Sequence, residues 1–273
     1  MPILKIMLLS KTRRGSCALI ALVIAVVLAG CATPAHVLPD VQPVNLNVAA
    51  AEIARAPQPT AREISDIEAV ARVAVLYRQL KPAAIAVCRY VGEHSCNWEL
   101  TYSPEEEINA YAADESTVVI YKGIVQYARN DAEIAMVIAH EMAHHIANHI
   151  NESQSNQAVG ALIGGVAMAL LLGDAAAYSG DAISNSMQIG AAAGMLSFSR
   201  EQEMESDYLA AYIISRAGFN LDGARGMLVK LGRLGGRTTS SVLDTHPAGP
   251  ERVAAWDLAA MEIRSGSPMP RKK

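Results

Sequence analysis

The sequence predicts an α+β fold that is mostly helical, with a small β-sheet ahead of the main helices. Apolar residues recur at helical spacing in several long segments. Two capping-box patterns, beginning at Asn130 and Ser199, mark the starts of two helices. Short apolar segments bounded by turn residues precede the first capping box and indicate strands. Because 51% of the 273 residues are hydrophobic, the chain can bury a core and is not wholly disordered.

The charge balance excludes a basic nucleic-acid-binding protein. The chain has 23 Lys and Arg residues against 27 Asp and Glu residues, which gives a net charge of -4. The first thirty residues contain four of the positive charges and no acid, so the rest of the chain is more acidic still. Because binding to phosphate backbones needs a cationic surface, we expect no nucleic-acid partner.

The N-terminal residues 1–30 are predicted to be a lipoprotein signal peptide. A positive segment at 11–14 is followed by an apolar stretch at 18–28 that is short for a membrane span. Leu28-Ala29-Gly30-Cys31 is typical of a lipobox, in which the cysteine is lipidated. The alternative is an uncleaved N-terminal helix with an incidental cysteine.

A lipidated Cys31 would anchor the chain in an outer-membrane lipid layer. Ala32 follows, where lipoproteins of the inner membrane typically have Asp, so we expect the periplasmic face of the outer membrane. Residues 31–60 contain five prolines and are predicted to be a tether to the folded domain.

Cys88 and Cys96 form a close pair, which in an oxidising periplasm predicts a disulfide. A metal site that uses His94 is the alternative.

The folded domain is predicted to span 61–264, followed by a disordered tail at 265–273. Helices are expected at 61–80, with a stop at Pro82, then at 131–150, 199–217, 221–234 and 252–263. Strands are expected at 83–91, 98–102, 108–112 and 117–121. We expect the last strand to be a sheet edge that could hold an extended substrate. The apolar region 158–196 is predicted to be a helical hairpin, either packed on the core or forming a lid or membrane-facing element.

His140-Glu141-Met142-Ala143-His144 lies within a predicted helix. Two histidines four residues apart share one face of a helix, so both imidazoles can reach a single cation. Neutral imidazole is a good zinc ligand, and we expect one Zn²⁺ per chain. Glu141 lies at the flank of this face, where a carboxylate can take a proton from a water beside the metal. The pattern therefore predicts a catalytic zinc site.

A third protein ligand is expected from the helix that begins after Ser199, because a catalytic zinc needs three protein ligands and one open position. This helix offers two pairs of acids four residues apart, Glu201 with Glu205 and Glu203 with Asp207. One pair is expected to lie on a solvated face, and the spacing alone does not say which.

Three further polar side chains have two interpretations each. His246 could reach the open zinc position or a developing oxyanion, or it is incidental to a helix start. Arg252 could pair with an acid near the site or only begin the last helix. His145 and His149 are four residues apart, and we expect them to be polar side chains near a helix C-terminus rather than ligands.

Three motifs together resemble the zinc metallopeptidase family of the CAAX prenyl proteases, HtpX, Oma1 and the periplasmic BepA and LoiP proteases. They are His140-Glu141-x-x-His144, Ser199-Arg200-x-x-Glu203-x-x-x-Asp207 and His246-Pro247-x-x-x-x-Arg252. The resemblance covers about 64–260. The chain lacks the long membrane spans of the prenyl proteases and is most similar to the lipid-anchored LoiP type. It has Ser206 where the family often has Ala.

The resemblance implies a zincin-like domain in which His140, His144 and Glu203 bind zinc and Glu141 is the general base. It also implies that Asp207 orients a ligand histidine. The implied activity is endopeptidase cleavage of polypeptides, and the implied substrates are misfolded or misassembled envelope proteins.

Two rival classes of function stay open at this point. One is a chaperone-like assembly factor for outer-membrane proteins that keeps the zinc and cleaves little, with His246 at the fourth position of the metal. The other is a structural lipoprotein with a non-catalytic metal, which a shell of four protein ligands would support.

Overall fold

A computed structural model describes residues 34–91, 95–114, 116–172, 180–194, 198–235 and 246–273. The predicted signal peptide, Cys31, His94 and the polar stretch 238–245 lie outside these residues. The described residues form two compact units. The first comprises 34–151 and 198–273, and the second is the described part of 152–196.

The fold is mostly helical with one three-stranded sheet, which confirms the predicted α+β class. The helices are α1 (Pro43–Arg55), α2 (Asp66–Val91), α3 (Lys122–Tyr127), α4 (Asp131–Ile146), α5 (His149–Leu172), α6 (Gly180–Gly194), α7 (Arg200–Arg216), α8 (Leu221–Leu234) and α9 (Pro250–Arg264). The strands are β1 (Glu99–Ser103), β2 (Ala110–Ala113) and β3 (Thr117–Tyr121).

The sheet has the order β1-β3-β2, with β1 parallel and β2 antiparallel to β3. Val118 and Ile120 are fully buried because β3 is the central strand. The prediction that 117–121 forms a sheet edge is therefore wrong. β1 and β2 are the outer strands.

α2 runs through Pro82, so the predicted helix stop and the strand predicted at 83–91 are both wrong. A proline within a helix loses one backbone hydrogen bond and bends the chain. Pro82 and Arg78, whose carbonyl the proline leaves unpaired, both lie on the exposed side, where water can replace the bond. Burial on the opposite face continues past the proline, from Leu80 to Val87, and keeps the segment helical.

The disulfide predicted between Cys88 and Cys96 is present. Cys88 lies in the last turn of α2, and Cys96 precedes β1. The bridge therefore ties the end of a core helix to the first strand of the sheet. Because both sulfurs are in the disulfide, they are not thiolate ligands for a metal near His94.

The predicted tether is not extended throughout. Within it, α1 packs against α8 and α9 and buries Ala49. Arg225 connects α1 with α9. Its Nη1 and Nη2 donate to the carboxylate of Glu52 in α1 at 2.6 Å each, and its Nε and Nη2 donate to Asp257 in α9. The run of prolines misled the prediction because Pro43 occupies the first helical position, where proline needs no hydrogen-bond partner.

The C-terminal residues 265–273, predicted to be disordered, also lie on this unit. Lys272 forms a β-bridge with His36, and the Val37 amide donates to the Arg271 carbonyl at 3.0 Å. Arg271 also forms an ion pair with Glu262. Backbone pairing between the two ends of the described chain orders a tail whose composition alone suggested fraying.

α4 lies at the centre of the first unit and packs against α2, α7 and α8. Its N-cap Asn130 accepts a hydrogen bond from the Glu133 amide, as the capping pattern predicts. α7 begins with the predicted capping box between Ser199 and Gln202. It ends before Gly218, whose φ of +81° suits glycine.

The helix predicted over 131–150 is interrupted. α4 ends at Ile146, and Asn148 adopts a left-handed conformation with φ of +65°. Asn tolerates this conformation better than most residues. A new helix, α5, begins at His149, so this histidine is not on the helical lattice of His140 and His144.

The second unit contains α6 and most of α5, in agreement with the predicted helical pair. A Cβ atom at Gly165 would come within 2.8 Å of Met187 Cγ, so glycine lets the two helices approach closely. Among the described residues, α5 is long and apolar enough to cross a membrane by length and composition, with a mean hydropathy of 1.6. Its apolar side chains are largely exposed, as at Leu162 and Leu171.

Candidate active site

Helix α4 brings His140 and His144 onto one buried face, as their spacing predicts. Their Nε2 atoms are 3.0 Å apart, and neither side chain is more than 5% exposed. The Nδ1 atoms therefore face outward from the pair. Asp207 Oδ1 accepts a hydrogen bond from His140 Nδ1 at 2.9 Å, and His149 Nδ1 lies 3.1 Å from His144 Nδ1.

Helix α7 supplies a carboxylate to the same point. Glu203 is fully buried, with Oε1 at 3.3 Å from His144 Nε2 and Oε2 at 3.4 Å from His140 Nε2. Glu203 and Asp207, four residues apart, thus both face α4. Glu201, by contrast, is exposed. Packing between α4 and α7 decides the choice that the spacing left open.

His246 lies at the fourth corner of this cluster. Its Nδ1 is 2.9 Å from Glu203 Oε1 and 3.4 Å from His140 Nε2, and the residue is 2% exposed. The ring of Phe198 stacks beside His144 and His246. One donor atom from each of His140, His144, Glu203 and His246 lies within 4.8 Å of the other three.

These donor atoms fit a tetrahedral zinc ion. Bonds of about 2.0–2.1 Å place neighbouring tetrahedral ligand atoms about 3.3 Å apart. Five distances of 2.9–3.4 Å lie close to this edge length: those from His140 Nε2 to the other three groups, and those from Glu203 to His144 Nε2 and His246 Nδ1. Two imidazole nitrogens and a carboxylate are also the donor types that zinc prefers.

Arg252 lies beside the cluster rather than merely beginning the last helix. Its Nε and Nη2 donate to the two oxygens of Asp207 at 2.7 and 2.8 Å, and its Nη1 lies 2.6 Å from Glu203 Oε2. The guanidinium is almost completely buried. It neutralises two buried carboxylates and fixes their positions.

Burial and the neighbouring charges shift the pKa values of the ionisable groups in the site. Burial and the Arg252 charge oppose protonation of His140, but Glu203 and Asp207 outweigh them and raise its pKa to about 9. Burial lowers the pKa of His144 well below its ordinary range. Burial also works against ionisation of Glu203, yet Arg252 and the facing imidazoles hold its pKa well below its ordinary range. Glu203 is thus ionised and able to bind a cation.

Glu141 occupies the position expected of a general base. It is 1% exposed, and its Oε2 has no hydrogen-bond partner among the described residues. His246 Nε2 lies 3.8 Å from this oxygen. A small cavity with room for about one water molecule adjoins it, lined in part by Val137 and Leu231. A buried carboxylate oxygen without a donor is costly unless it serves a ligand or a reaction.

Sequence reasoning missed two residues of the site. Glu205, expected on a solvated face if Glu203 and Asp207 point inward, is 2% exposed and lies behind the cluster. His149, expected to be a polar side chain at a helix end, contacts the outward Nδ1 of His144. The one available signal was Asn148, which can end a helix and redirect the next residue. His145 instead contacts the Ala113 carbonyl of β2 through Nε2 at 3.2 Å and is not in the cluster.

The sequence profile of Peptidase family M48 matches residues 73–259, well over half of the chain, and includes α4, α7 and most of α9. The chain belongs to peptidase family M48. This assignment confirms the predicted zinc metallopeptidase family, its zincin-like fold and its metal.

Three named proteins resemble the chain over part of their length. The mitochondrial metalloendopeptidase OMA1 of Arabidopsis thaliana is 31% identical over 156 residues, which cover 57% of this chain and 30% of that protein. The β-barrel assembly-enhancing protease of Escherichia coli K12 is 30% identical over 164 residues, 58% of this chain and 34% of that protein. Metalloprotease YcaL of the same strain is 28% identical over 152 residues, which cover 54% of this chain and 56% of that protein. The chain therefore spans about a third of the first two relatives.

Proposed function

We propose that this chain is a zinc-dependent endopeptidase anchored as a lipoprotein in the bacterial envelope. His140, His144 and Glu203 would hold one zinc ion, and Glu141 would act as general base. The observation that carries the proposal is the free Oε2 of Glu141, buried beside four zinc-type donor atoms. A purely structural metal site does not need a buried carboxylate oxygen without a hydrogen-bond partner beside its ligands.

The chain's own residues account for the steps around the metal. When bound, zinc lowers the pKa of water and polarises the scissile carbonyl. Glu141 is positioned to take the proton of the attacking water at Oε2 and to return it to the leaving amine nitrogen. Asp207 fixes the orientation of His140 by accepting a hydrogen bond from its Nδ1. Arg252 keeps Asp207 and Glu203 ionised and in place.

His246 supports a second candidate function, a self-inhibited or chaperone-like form of the same site. Its Nδ1 lies at the fourth corner, and the adjoining cavity has room for about one water molecule rather than for a peptide. A closed shell of four protein ligands is typical of structural zinc. We propose that His246 must leave this corner before a substrate carbonyl can enter, so that cleavage is restrained in the resting enzyme.

The proposed substrates are misfolded or misassembled envelope proteins. The name of the E. coli relative, a β-barrel assembly-enhancing protease, supports this class. The lipobox-like Leu28-Ala29-Gly30-Cys31 sequence supports lipidation at Cys31 and a place on the periplasmic face of the outer membrane. The acidic chain is poorly suited to nucleic acid, and polypeptides are the proposed partners.

Cleavage of an unfolded reporter protein tests both candidates. The full-length lipoprotein in detergent would be compared with Glu141→Gln and His246→Ala. The endopeptidase proposal expects Glu141→Gln to lose at least about 100-fold in cleavage rate while keeping its zinc. Restraint by His246 expects His246→Ala to cleave faster than the wild type. Equal slow cleavage by the wild type, His246→Ala and Glu141→Gln would contradict catalysis by this site.

A further inference from the structure

The Nδ1 atoms of the two histidines in the H-E-x-x-H motif contact different groups. The Asp207 carboxylate accepts a hydrogen bond directly from His140 Nδ1. His144 Nδ1 instead faces His149 Nδ1 at 3.1 Å. An imidazole nitrogen can either donate or accept, so His149 alone does not fix where the proton of His144 lies.

The Glu205 carboxylate lies on the far side of His149 from His144. His149 Nε2 lies 3.2 Å from Glu205 Oε2, and both residues are almost fully buried. The other oxygen, Oε1, accepts two hydrogen bonds from His36, from the backbone amide at 3.0 Å and from Nδ1 at 2.7 Å. The backbone amide of His36 can only donate, so Oε1 is an acceptor, and a glutamate in its ordinary ionised form has only acceptors to offer.

When both histidines are neutral, the acceptor oxygen of Glu205 sets their tautomers. His149 Nε2 then carries the proton that it donates to Oε2, and its Nδ1 is an acceptor. His144 Nδ1 in turn donates its own hydrogen to His149 Nδ1. The lone pair of His144 is thereby left on Nε2, the atom that faces Glu203 and His140. Ser206 Oγ, 3.2 Å from His149 Nδ1, is compatible because a hydroxyl can donate to the same nitrogen.

We propose that Glu205 and His149 are positioning residues that hold His144 in the tautomer able to bind zinc. His36, near the start of the described residues, is the last member of this chain of contacts, since its backbone amide donates to Glu205 Oε1. The break at Asn148 makes the contact possible. Residues five apart on a continuous helix point about 140° away from each other. The inference rests on the proposed function only in taking His144 as a zinc ligand.

Glu205→Gln tests this proposal with almost no change in the shape of the side chain. The backbone amide of His36 donates to the Oε1 position, so the glutamine must place its carbonyl there and turn its NH₂ group towards His149 Nε2. His149 then accepts at Nε2 and donates from Nδ1. His144 must accept at Nδ1 and carries its own proton on Nε2, where zinc would bind.

The measurement is zinc affinity by competition with a chromophoric chelator on the full-length protein, with folding checked by circular dichroism. Glu205→Gln and His149→Phe are each expected to weaken zinc binding about 10- to 100-fold, as other residues that orient metal ligands do. Glu201→Gln, an exposed site on the same helix, is the matched control and should bind as the wild type does. The double variant should bind no more weakly than His149→Phe alone, because Glu205 acts through His149.

Two results would overturn the inference while leaving the proposed function intact. One is a folded Glu205→Gln variant with zinc affinity within twofold of the wild type. The other is a double variant whose loss equals the product of the two single losses, since independent sites combine in that way. A wild type that binds no zinc would instead contradict the proposed function, and the inference with it.

Discussion

Asp207 Oδ1 accepts a hydrogen bond from His140 Nδ1 at 2.9 Å. The same carboxylate takes two further hydrogen bonds from Arg252, so a buried arginine, an aspartate and a metal-ligand histidine form one line. This line fixes the ring of His140 with Nε2 towards the cluster. The geometry of the metal site therefore depends on α9 as well as on the two helices that supply its ligands.

Removal of Arg252 should destabilise the protein strongly. Arg252→Met leaves the carboxylates of Asp207 and Glu203 buried without their main cation, and breaking a buried ion pair in this way costs about 3–5 kcal/mol. Urea unfolding of the metal-free protein measures the loss. Arg264→Met, which removes an exposed pair with Asp222, is the control and should cost at most about 1 kcal/mol. Equal losses in the two variants would show that the Arg252 pairs add nothing beyond a surface contact.

Arg225 should hold the N-terminal helix α1 on the domain. Arg225→Met removes the hydrogen bonds to Glu52 and Asp257, so amide hydrogens of 43–55 should exchange faster while those of α4 stay protected. Arg200→Met, which breaks an exposed pair with Glu251, is the control and should leave this exchange unchanged. Unaltered protection of 43–55 in Arg225→Met would mean that apolar packing alone holds the helix.

Acid should loosen the same helix. The hydrogen bond from Arg225 holds the pKa of Glu52 below its ordinary value of 4.5. The stabilisation from this pair is therefore present above pH 4.5 and disappears as the pH falls through the lowered pKa. The protection of 43–55 relative to the intrinsic exchange rate at each pH should fall in that range more in the wild type than in Arg225→Met. A parallel fall in both proteins would contradict the assignment.

The Cys88–Cys96 disulfide should stabilise the domain by about 2–3 kcal/mol, the value expected for closing a short loop in the unfolded chain. Thermal unfolding with and without reductant measures the difference. A Cys88→Ala, Cys96→Ala double variant should unfold at the temperature of the reduced wild type and should not respond to reductant. A wild type that unfolds at the same temperature in both conditions would show that the bridge has no energetic role.

The parts of the fold and site that the sequence could predict depend on local spacing. Two histidines four residues apart share a helix face wherever the helix lies, so His140 and His144 were predictable as a pair. The capping box at Ser199 likewise placed the start of α7. Choosing Glu203 over Glu205 needed either the family resemblance or the packing of α4 on α7. In the structure both are buried, with different partners.

The errors arose where tertiary contacts override local signals. Pro82 is a strong helix breaker, yet the buried face of α2 continues on both sides of it. The prolines of 31–60 suggested a flexible tether, but α1 gains apolar contacts and the bonds of Arg225. A helix that continued to 150 would place His149 near its C-terminus, but α4 ends at Ile146 and the left-handed Asn148 redirects the chain.

Zinc-edge anomalous diffraction from crystals of the zinc-loaded protein would locate the metal. We expect one zinc ion about 2.0–2.2 Å from His140 Nε2, His144 Nε2 and an oxygen of Glu203. We also expect Glu141 to lie close to the metal without binding it. No zinc peak at this cluster, or a peak ligated by other residues, would contradict the proposed zinc site.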